Sequence, residues 1–233
     1  MKLAVIPARG GSKRIPRKNI KLFCGKPMIA WSIEAALASG CFDKVIVSTD
    51  DQEIANVARE WGADVPFMRP AELADDYAGT LPVIKQAVQA MSRLGMDAEH
   101  VCCIYATAPF VSADALREGL RTLENSGASY AFSVTSYAFP IQRSVRLDSQ
   151  GRVSMFHPEH SLTRSQDLEE AFHDAGQFYW GRGAAWLAEA PIFSSDAAAV
   201  VLPRYRVQDI DTLEDWLRAE LMFKAIRATE AGE

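Results

Sequence analysis

The segment Pro7-Ala8-Arg9-Gly10-Gly11-Ser12-Lys13-Arg14-Ile15-Pro16-Arg17-Lys18-Asn19 places five cations in thirteen residues, in a chain whose formal charge is −5. A protein core has no use for that density of charge, whereas an oligophosphate does. Arg9, Lys13 and Lys18 supply it. Gly10 and Gly11 allow φ > 0 and a close backbone approach, so that consecutive N–H groups can form an anion-binding nest. The alternative, a solvated basic patch, needs neither Gly-Gly nor a position at the end of a strand. The spacing matches neither Gly-x-x-x-x-Gly-Lys-Ser/Thr nor Gly-x-Gly-x-x-Gly, which removes P-loop ATPase and dinucleotide dehydrogenase readings.

A second anchor is Gln208-Asp209-Ile210-Asp211-Thr212. Side chains at i and i+2 of an extended segment point the same way, so Asp209 and Asp211 can face one hard cation such as Mg²⁺. Asp211 with Glu214 three residues on also reads as a helix capping box, and both readings stand. Asp50 and Asp51 precede a helical pattern and are explained as well by capping as by function. Asp75-Asp76-Tyr77 and Gly79-Thr80 stand before another helix, whose N-terminus could read a base edge. His157-x-x-His160 encloses Pro158 and has no Cys or third His at ligand spacing, so it is not read as zinc. Arg164 has the planar fork that grips a carboxylate, in a polar stretch leading to His173-Asp174.

These residues need a scaffold, and the apolar periodicity describes one. Strands are expected at 2–7, 44–49, 63–67, 100–106, 178–180 and 198–202, with helices at 27–39, 51–61, 80–94, 114–125 and 212–228. Gly40 and Gly62 are read as helix stops. Strands alternating with helices imply βαβ units and a parallel sheet covered on both faces, with ligands at the carboxyl ends of the strands. The alternation lapses between about 130 and 177, where strand candidates at 131–136, 144–147 and 152–156 read as an inserted β-rich lobe.

The chain has 233 residues, 48% hydrophobic and 24% charged, with 14 Gly and 11 Pro, which excludes disordered and collagenous classes. Its length fits one large α/β domain, 1–233, with the inserted lobe at about 135–170. The net negative charge argues against nucleic acid and anionic membrane surfaces as partners. The longest uncharged run, 125–142, holds Gly127, Pro140 and several hydroxyl residues, so no membrane span is expected. The first apolar stretch is too short for a signal-peptide core, which points to the cytoplasm. Cys24, Cys41, Cys102 and Cys103 are read as reduced and structural.

Four motifs taken together resemble a known family: Ile6 to Asn19 (Ile-Pro-Ala-Arg-Gly-Gly-Ser-Lys-Arg-Ile-Pro-Arg-Lys-Asn), Val-Ile-Val-Ser-Thr-Asp, Arg69-Pro-Ala-Glu-Leu-Ala-Asp-Asp76, and Asp209-Ile-Asp-Thr212. In this order they are similar to the cytidylyltransferases that make CMP-activated nonulosonic acids, along nearly the whole chain. The stretches 106–110, 139–143 and 164–180 are most similar to the branch acting on pseudaminic acid. The resemblance implies a Rossmann-like three-layer α/β nucleotidyltransferase sheet, mostly parallel, with a small inserted β-rich dimerisation lobe.

It further implies transfer of CMP from CTP to the anomeric hydroxyl of pseudaminic acid, releasing pyrophosphate. Legionaminic, sialic or 3-deoxy-octulosonic acid is the alternative sugar, and a nucleotide-binding protein without turnover is the alternative class. Ala8, Arg9, Gly10, Gly11, Ser12, Lys13, Asn19, Arg69 and Thr80 would bind the nucleotide, with Arg9, Lys13 and Lys18 in the catalytic role. Asp209 and Asp211 would hold Mg²⁺. Tyr105, Gln142, Arg143, Arg164, Gln166, His173, Asp174 and Gln177 would meet the sugar, the lobe reaching across a homodimer and Arg164 meeting the sugar carboxylate. Sialic-acid synthetases of the family usually carry Gln-Pro at Tyr105-Ala106 and Asn-Gly at Ala175-Gly176, which implies a differently substituted nine-carbon acid here.

Overall fold

A computed structural model describes residues 1–75 and 78–230. Strand β1 (Lys2–Pro7) opens the chain and empties into the cationic loop, which ends in a small hairpin of β2 (Leu22–Phe23) and β3 (Lys26–Pro27). Helix α1 (Met28–Ser39) follows, with Pro27 as its N-cap and Gly40 as its left-handed C-cap. Then come β4 (Lys44–Ser48), α2 (Gln52–Glu60), α3 (Thr80–Arg93), β5 (His100–Ile104), α4 (Ala113–Ser126) and β6 (Tyr130–Ser136). Strands β7 (Val145–Leu147) and β8 (Val153–Met155) form a separate hairpin. The chain re-enters the sheet as β9 (Phe172–Arg182) and finishes with α5 (Gly183–Leu187), β10 (Ala197–Val201) and α6 (Leu213–Glu230).

The central sheet has the order β10-β6-β9-β5-β1-β4. Strand β1 runs parallel to β4 and β5, β10 runs parallel to β6, and β9 alone is antiparallel to both its neighbours. Alternate side chains of each strand therefore feed two cores. On one face Ala4, Ile6, Val47, Cys102 and Ile104 meet α1, α2 and α4. On the other Leu3, Val5, Val101 and Cys103 meet α3 and Trp186 of α5. This is the three-layer α/β architecture that the alternation predicts.

Three local expectations are corrected. The stretch 63–67 is no strand; it makes one parallel bridge, Asp64 to Ile46. Pro66 cannot donate to a ladder, and that limits the pairing. Residues 131–136 belong to the central sheet and not to an inserted lobe, because β10 pairs along them from Ala197↔Tyr130 to Val201↔Val134. The strand expected at 178–180 extends over Phe172–Arg182 and reverses direction, inserting between β5 and β6. Residues 137–171 leave the sheet as an exposed excursion that includes the β7–β8 hairpin. All four cysteines are free thiols, with Cys102 and Cys103 fully buried as small apolar groups. Among the described residues no helix is long and apolar enough to cross a membrane.

Candidate active site

The carboxyl ends of β1 and β5 border a cleft of about 550 Å³. Arg9, Ser12, Lys13, Arg14, Lys18 and Asn19 of the loop line it, together with Arg69, Thr80, Tyr105 and Asp211. The structure thus brings the cationic loop, one member of the acidic pair and the start of α3 around one space. Asp76 and Tyr77, which the sequence places beside that helix start, lie outside the described residues.

A third apolar cluster sets this convergence. Ile15 from the loop and Ile210 from between the two aspartates are both fully buried with Phe23, Phe110, Trp216 and Phe223. One nucleus therefore anchors both halves of the site, and Arg14 beside Ile15 and Asp211 beside Ile210 are left at the cleft. Lys18 Nζ donates to the Ile210 carbonyl at 2.6 Å and lies 3.3 Å from Asp211 Oδ1, although 192 residues separate the partners. Arg14 reaches the same carboxylate oxygen at 2.9 Å. Arg14 was not singled out from sequence; its place in the cationic run was the only signal.

The loop is held by its own polar groups. Asn19 is buried and donates from its side-chain amide to the Arg9 carbonyl at 2.9 Å. Ser12 donates to the Ile15 carbonyl at 2.7 Å, and Arg9 to the Asp75 carbonyl at 3.0 Å. Arg17, at φ 56 in the left-handed region, forks onto both oxygens of Asp51 and also reaches Glu53. The Arg17 guanidinium is the largest influence holding the Asp51 carboxyl down at about 2, and Asp51 also caps α2 by accepting from Ile54 N. Arg17 is therefore a clamp on the loop.

The nest expected at Gly10-Gly11 takes another form. Neither glycine has positive φ. The Gly10 N–H already donates to Asp50 Oδ1 at 3.0 Å, and a Cβ at Gly10 would stand 2.7 Å from Asp51 Oδ2. Glycine is required there by close approach and not by backbone handedness. Ala8 is buried and Gly11 exposed, and neither lines the cleft.

The capping box also shifts by one residue. Thr212 Oγ1 accepts from Asp215 N at 3.1 Å, while Asp215 Oδ2 accepts from Thr212 N at 2.8 Å. Glu214 has no part in it, and the Asp211 carboxylate is left to face Arg14, Lys18 and the cleft. Asp209 lies outside the cleft lining; partial desolvation, and then the negative charge of Asp211, raise its carboxyl above the ordinary range. A divalent cation between the two carboxylates would relieve that repulsion, and their oxygen donors are of the kind a hard ion takes. Among the described residues no cluster of three or more acidic, His or Cys groups forms a complete protein cage.

Arg69 is buried, with Nε on Ser48 Oγ at 3.1 Å and Nη2 on the Ser48 carbonyl. Burial lowers its guanidinium to about 10, so it stays cationic at neutral pH. Of the residues expected at the sugar, Tyr105 lines the cleft. His173, Asp174 and Gln177 lie on β9, where the Gln177 carbonyl accepts from Tyr105 N at 2.9 Å. Gln142, Arg143, Arg164 and Gln166 belong to the excursion and do not line the cleft of their own chain. Arg164 is bound to Asp167 at 2.7 Å, and Arg143 to the Thr163 carbonyl.

A family model described as cytidylyltransferase matches residues 3–216. The chain is 46% identical over 222 residues to the pseudaminic acid cytidylyltransferase of Campylobacter jejuni, covering 95% of this chain and 96% of that one. It is 32% identical over 230 residues to the CMP-N,N'-diacetyllegionaminic acid synthase of Legionella pneumophila, covering 95% and 96%. A solved CMP:2-keto-3-deoxy-manno-octonic acid synthetase complexed with CTP superposes with a TM-score of 0.68 at 18% identity, over 98% of this chain and 99% of that one, a likeness of fold.

Proposed function

The chain belongs to the cytidylyltransferase family and is a nucleotidyltransferase, and from that premise we propose that it transfers CMP from CTP to the anomeric hydroxyl of pseudaminic acid. The observation that carries this reading is the single cleft uniting Arg9, Lys13 and Lys18 with Thr80, Tyr105 and Asp211. The choice of sugar is supported by the similarity to the Campylobacter jejuni enzyme along nearly the full length of both chains.

The anomeric hydroxyl attacks the α-phosphorus of CTP in line and loses its proton to solvent water, a P–O bond forms, the bond to the bridging oxygen breaks, and pyrophosphate leaves with the electron pair. Negative charge grows on the equatorial and leaving oxygens, so catalysis is positioning and charge stabilisation. Arg9, Ser12 and Lys13 hold the triphosphate, and Asn19 keeps the loop closed around it through the Arg9 carbonyl. Arg69 and Thr80 hold the nucleoside. Lys18, resting on Asp211 and the Ile210 carbonyl, turns to the α-phosphate when the nucleotide enters. Asp209 and Asp211 would hold Mg²⁺, which would supply neutralisation of the phosphate charge.

The excursion explains the sugar residues that miss the cleft. Tyr137, Phe139, Val145, Leu147, Val153, Phe156 and Leu162 stand exposed on it, an apolar surface that a second copy would cover. In a homodimer it delivers Arg143, Arg164 and Gln166 to the partner's cleft, where Arg164 exchanges Asp167 for the sugar carboxylate.

Pyrophosphate release and product mass with CTP, Mg²⁺ and a panel of pseudaminic, legionaminic, sialic and 3-deoxy-octulosonic acids test the reading. Turnover is expected to be fastest with pseudaminic acid. Faster turnover with another acid would overturn the sugar assignment, and CTP binding without pyrophosphate release from any of them would overturn transfer itself.

A further inference from the structure

Of the described cations that line the cleft, Arg14 alone has no part in the proposed transfer. Its guanidinium meets Asp211 Oδ1 at 2.9 Å, and the Lys18 ammonium lies 3.3 Å from the same oxygen. Two positive charges on one carboxylate oxygen equal the charge that a divalent ion would bring there. Lys18, with its side chain 18% exposed, is also tied to the Ile210 carbonyl at 2.6 Å, whereas Arg14, 66% exposed, reaches in from the solvent side.

The backbone that carries the carboxylate is fixed independently of both cations. Asp211 N donates to Asp215 Oδ2 at 3.1 Å, and Thr212 and Asp215 close the reciprocal cap beside it. The carboxylate therefore stays where it is whichever partner it holds. A divalent ion at Oδ1 would stand beside two like charges, and that repulsion makes the ion and the two side chains rivals for one oxygen.

We propose that Arg14, together with Lys18, competes with the divalent ion for Asp211 Oδ1, so that the metal binds weakly by itself and strongly only with a triphosphate, whose charge draws both cations off the carboxylate. The inference deepens the proposed function and rests on its placement of the ion at Asp211. A triphosphate offers several anionic oxygens where Asp211 offers one carboxylate, and Lys18 has the α-phosphate as its destination in that reading. The coupling is reciprocal: the factor by which the nucleotide strengthens metal binding is the factor by which the metal strengthens nucleotide binding.

The test is equilibrium binding of Mn²⁺ to the full chain, without nucleotide or sugar, read from the electron paramagnetic resonance signal of the free ion. Arg14→Gln removes one rival, and the Mn²⁺ dissociation constant is expected to fall by about three- to fivefold, the scale of a partly exposed ion pair. Arg14→Gln/Lys18→Gln removes both, and the fall should reach about tenfold or more as two such pairs combine. Lys21→Gln removes the same charge from the same segment, but that ammonium stands over the Trp216 ring at 4.9 Å from its centroid. At 0.1 M salt, where separated charges are screened over about 10 Å, it should move the constant by less than about twofold. With Asp211→Asn already present there is nothing to compete for, and adding Arg14→Gln should leave the constant unchanged.

Native circular dichroism is confirmed for each variant, and if the double variant does not fold, Arg14→Gln decides by itself. An unchanged constant in Arg14→Gln, or an equal fall in Lys21→Gln, overturns the competition while leaving the ion at Asp211 and cytidylyl transfer intact. A fall that persists in full when Asp211→Asn is added overturns the placement of the ion instead, and the proposal with it.

Discussion

A displacement of one residue separates two tasks at the start of α6. Thr212 and Asp215 cap the helix reciprocally, so the neighbouring Asp211 can turn its carboxylate to Arg14, Lys18 and the cleft. Asp211→Asn should therefore abolish Mg²⁺-dependent turnover while changing stability by less than about 1 kcal/mol, since its ion pairs are partly exposed. Asp215→Ala should do the reverse, lowering Tm by roughly 2–4 °C, as loss of a cap worth about 1 kcal/mol does in a chain of this size, with turnover kept. Thermal melts and Mg²⁺-dependent pyrophosphate release on both variants check this, and an inactive Asp215→Ala of normal stability would contradict it. From sequence the cap and the ligand share Asp211, because Asp211-x-x-Glu214 and Thr212-x-x-Asp215 are equally good patterns and only coordinates choose between them. Arg17 shows the same limit: it is one cation among five in the loop, and its clamp on Asp51 and Glu53 is a long-range contact that no local spacing announces.

At the scale of elements, what was legible had a local cause. Helix α1 is bounded by Pro27 and Gly40, and β1 by its apolar run and the loop that follows, so both read directly from the chain. The direction of β9 did not, because a strand buried on both faces has the same apolar pattern whichever way it runs. Its reversal puts Tyr179 beside Tyr105, with ring centroids 5.3 Å apart, a neighbourhood that no local spacing announces. Residues 137–171 are the element whose role the proposal states most sharply. Leu162, 96% exposed, and Phe139, 82% exposed, are apolar groups that a lone copy leaves in water. The double variant Phe139→Asp/Leu162→Asp should sediment as a monomer and bind CTP normally, with pyrophosphate release reduced by about 10²-fold or more through loss of the partner's sugar contacts. A stable dimer, or a fully active monomer, would contradict the proposed exchange.

Across the whole molecule the site joins the two ends of the sequence. The first loop and the segment before the last helix share the nucleus around Ile15 and Ile210. In a chain of net charge −5, the cations gathered over this cleft focus a positive potential where the triphosphate must sit. Lys18 lies at the junction, bonded across 192 residues to the Ile210 carbonyl. If the account is right, its ammonium serves the charge that develops at the α-phosphate and not the ground-state hold on CTP. The most direct measurement compares CTP affinity and single-turnover rate in wild type and Lys18→Ala. The account predicts that the rate falls by about 10²–10³-fold, the usual loss on removing one donor to a developing oxyanion, while CTP affinity changes only a few-fold. A large loss of affinity with an unaltered rate at saturating CTP would contradict it.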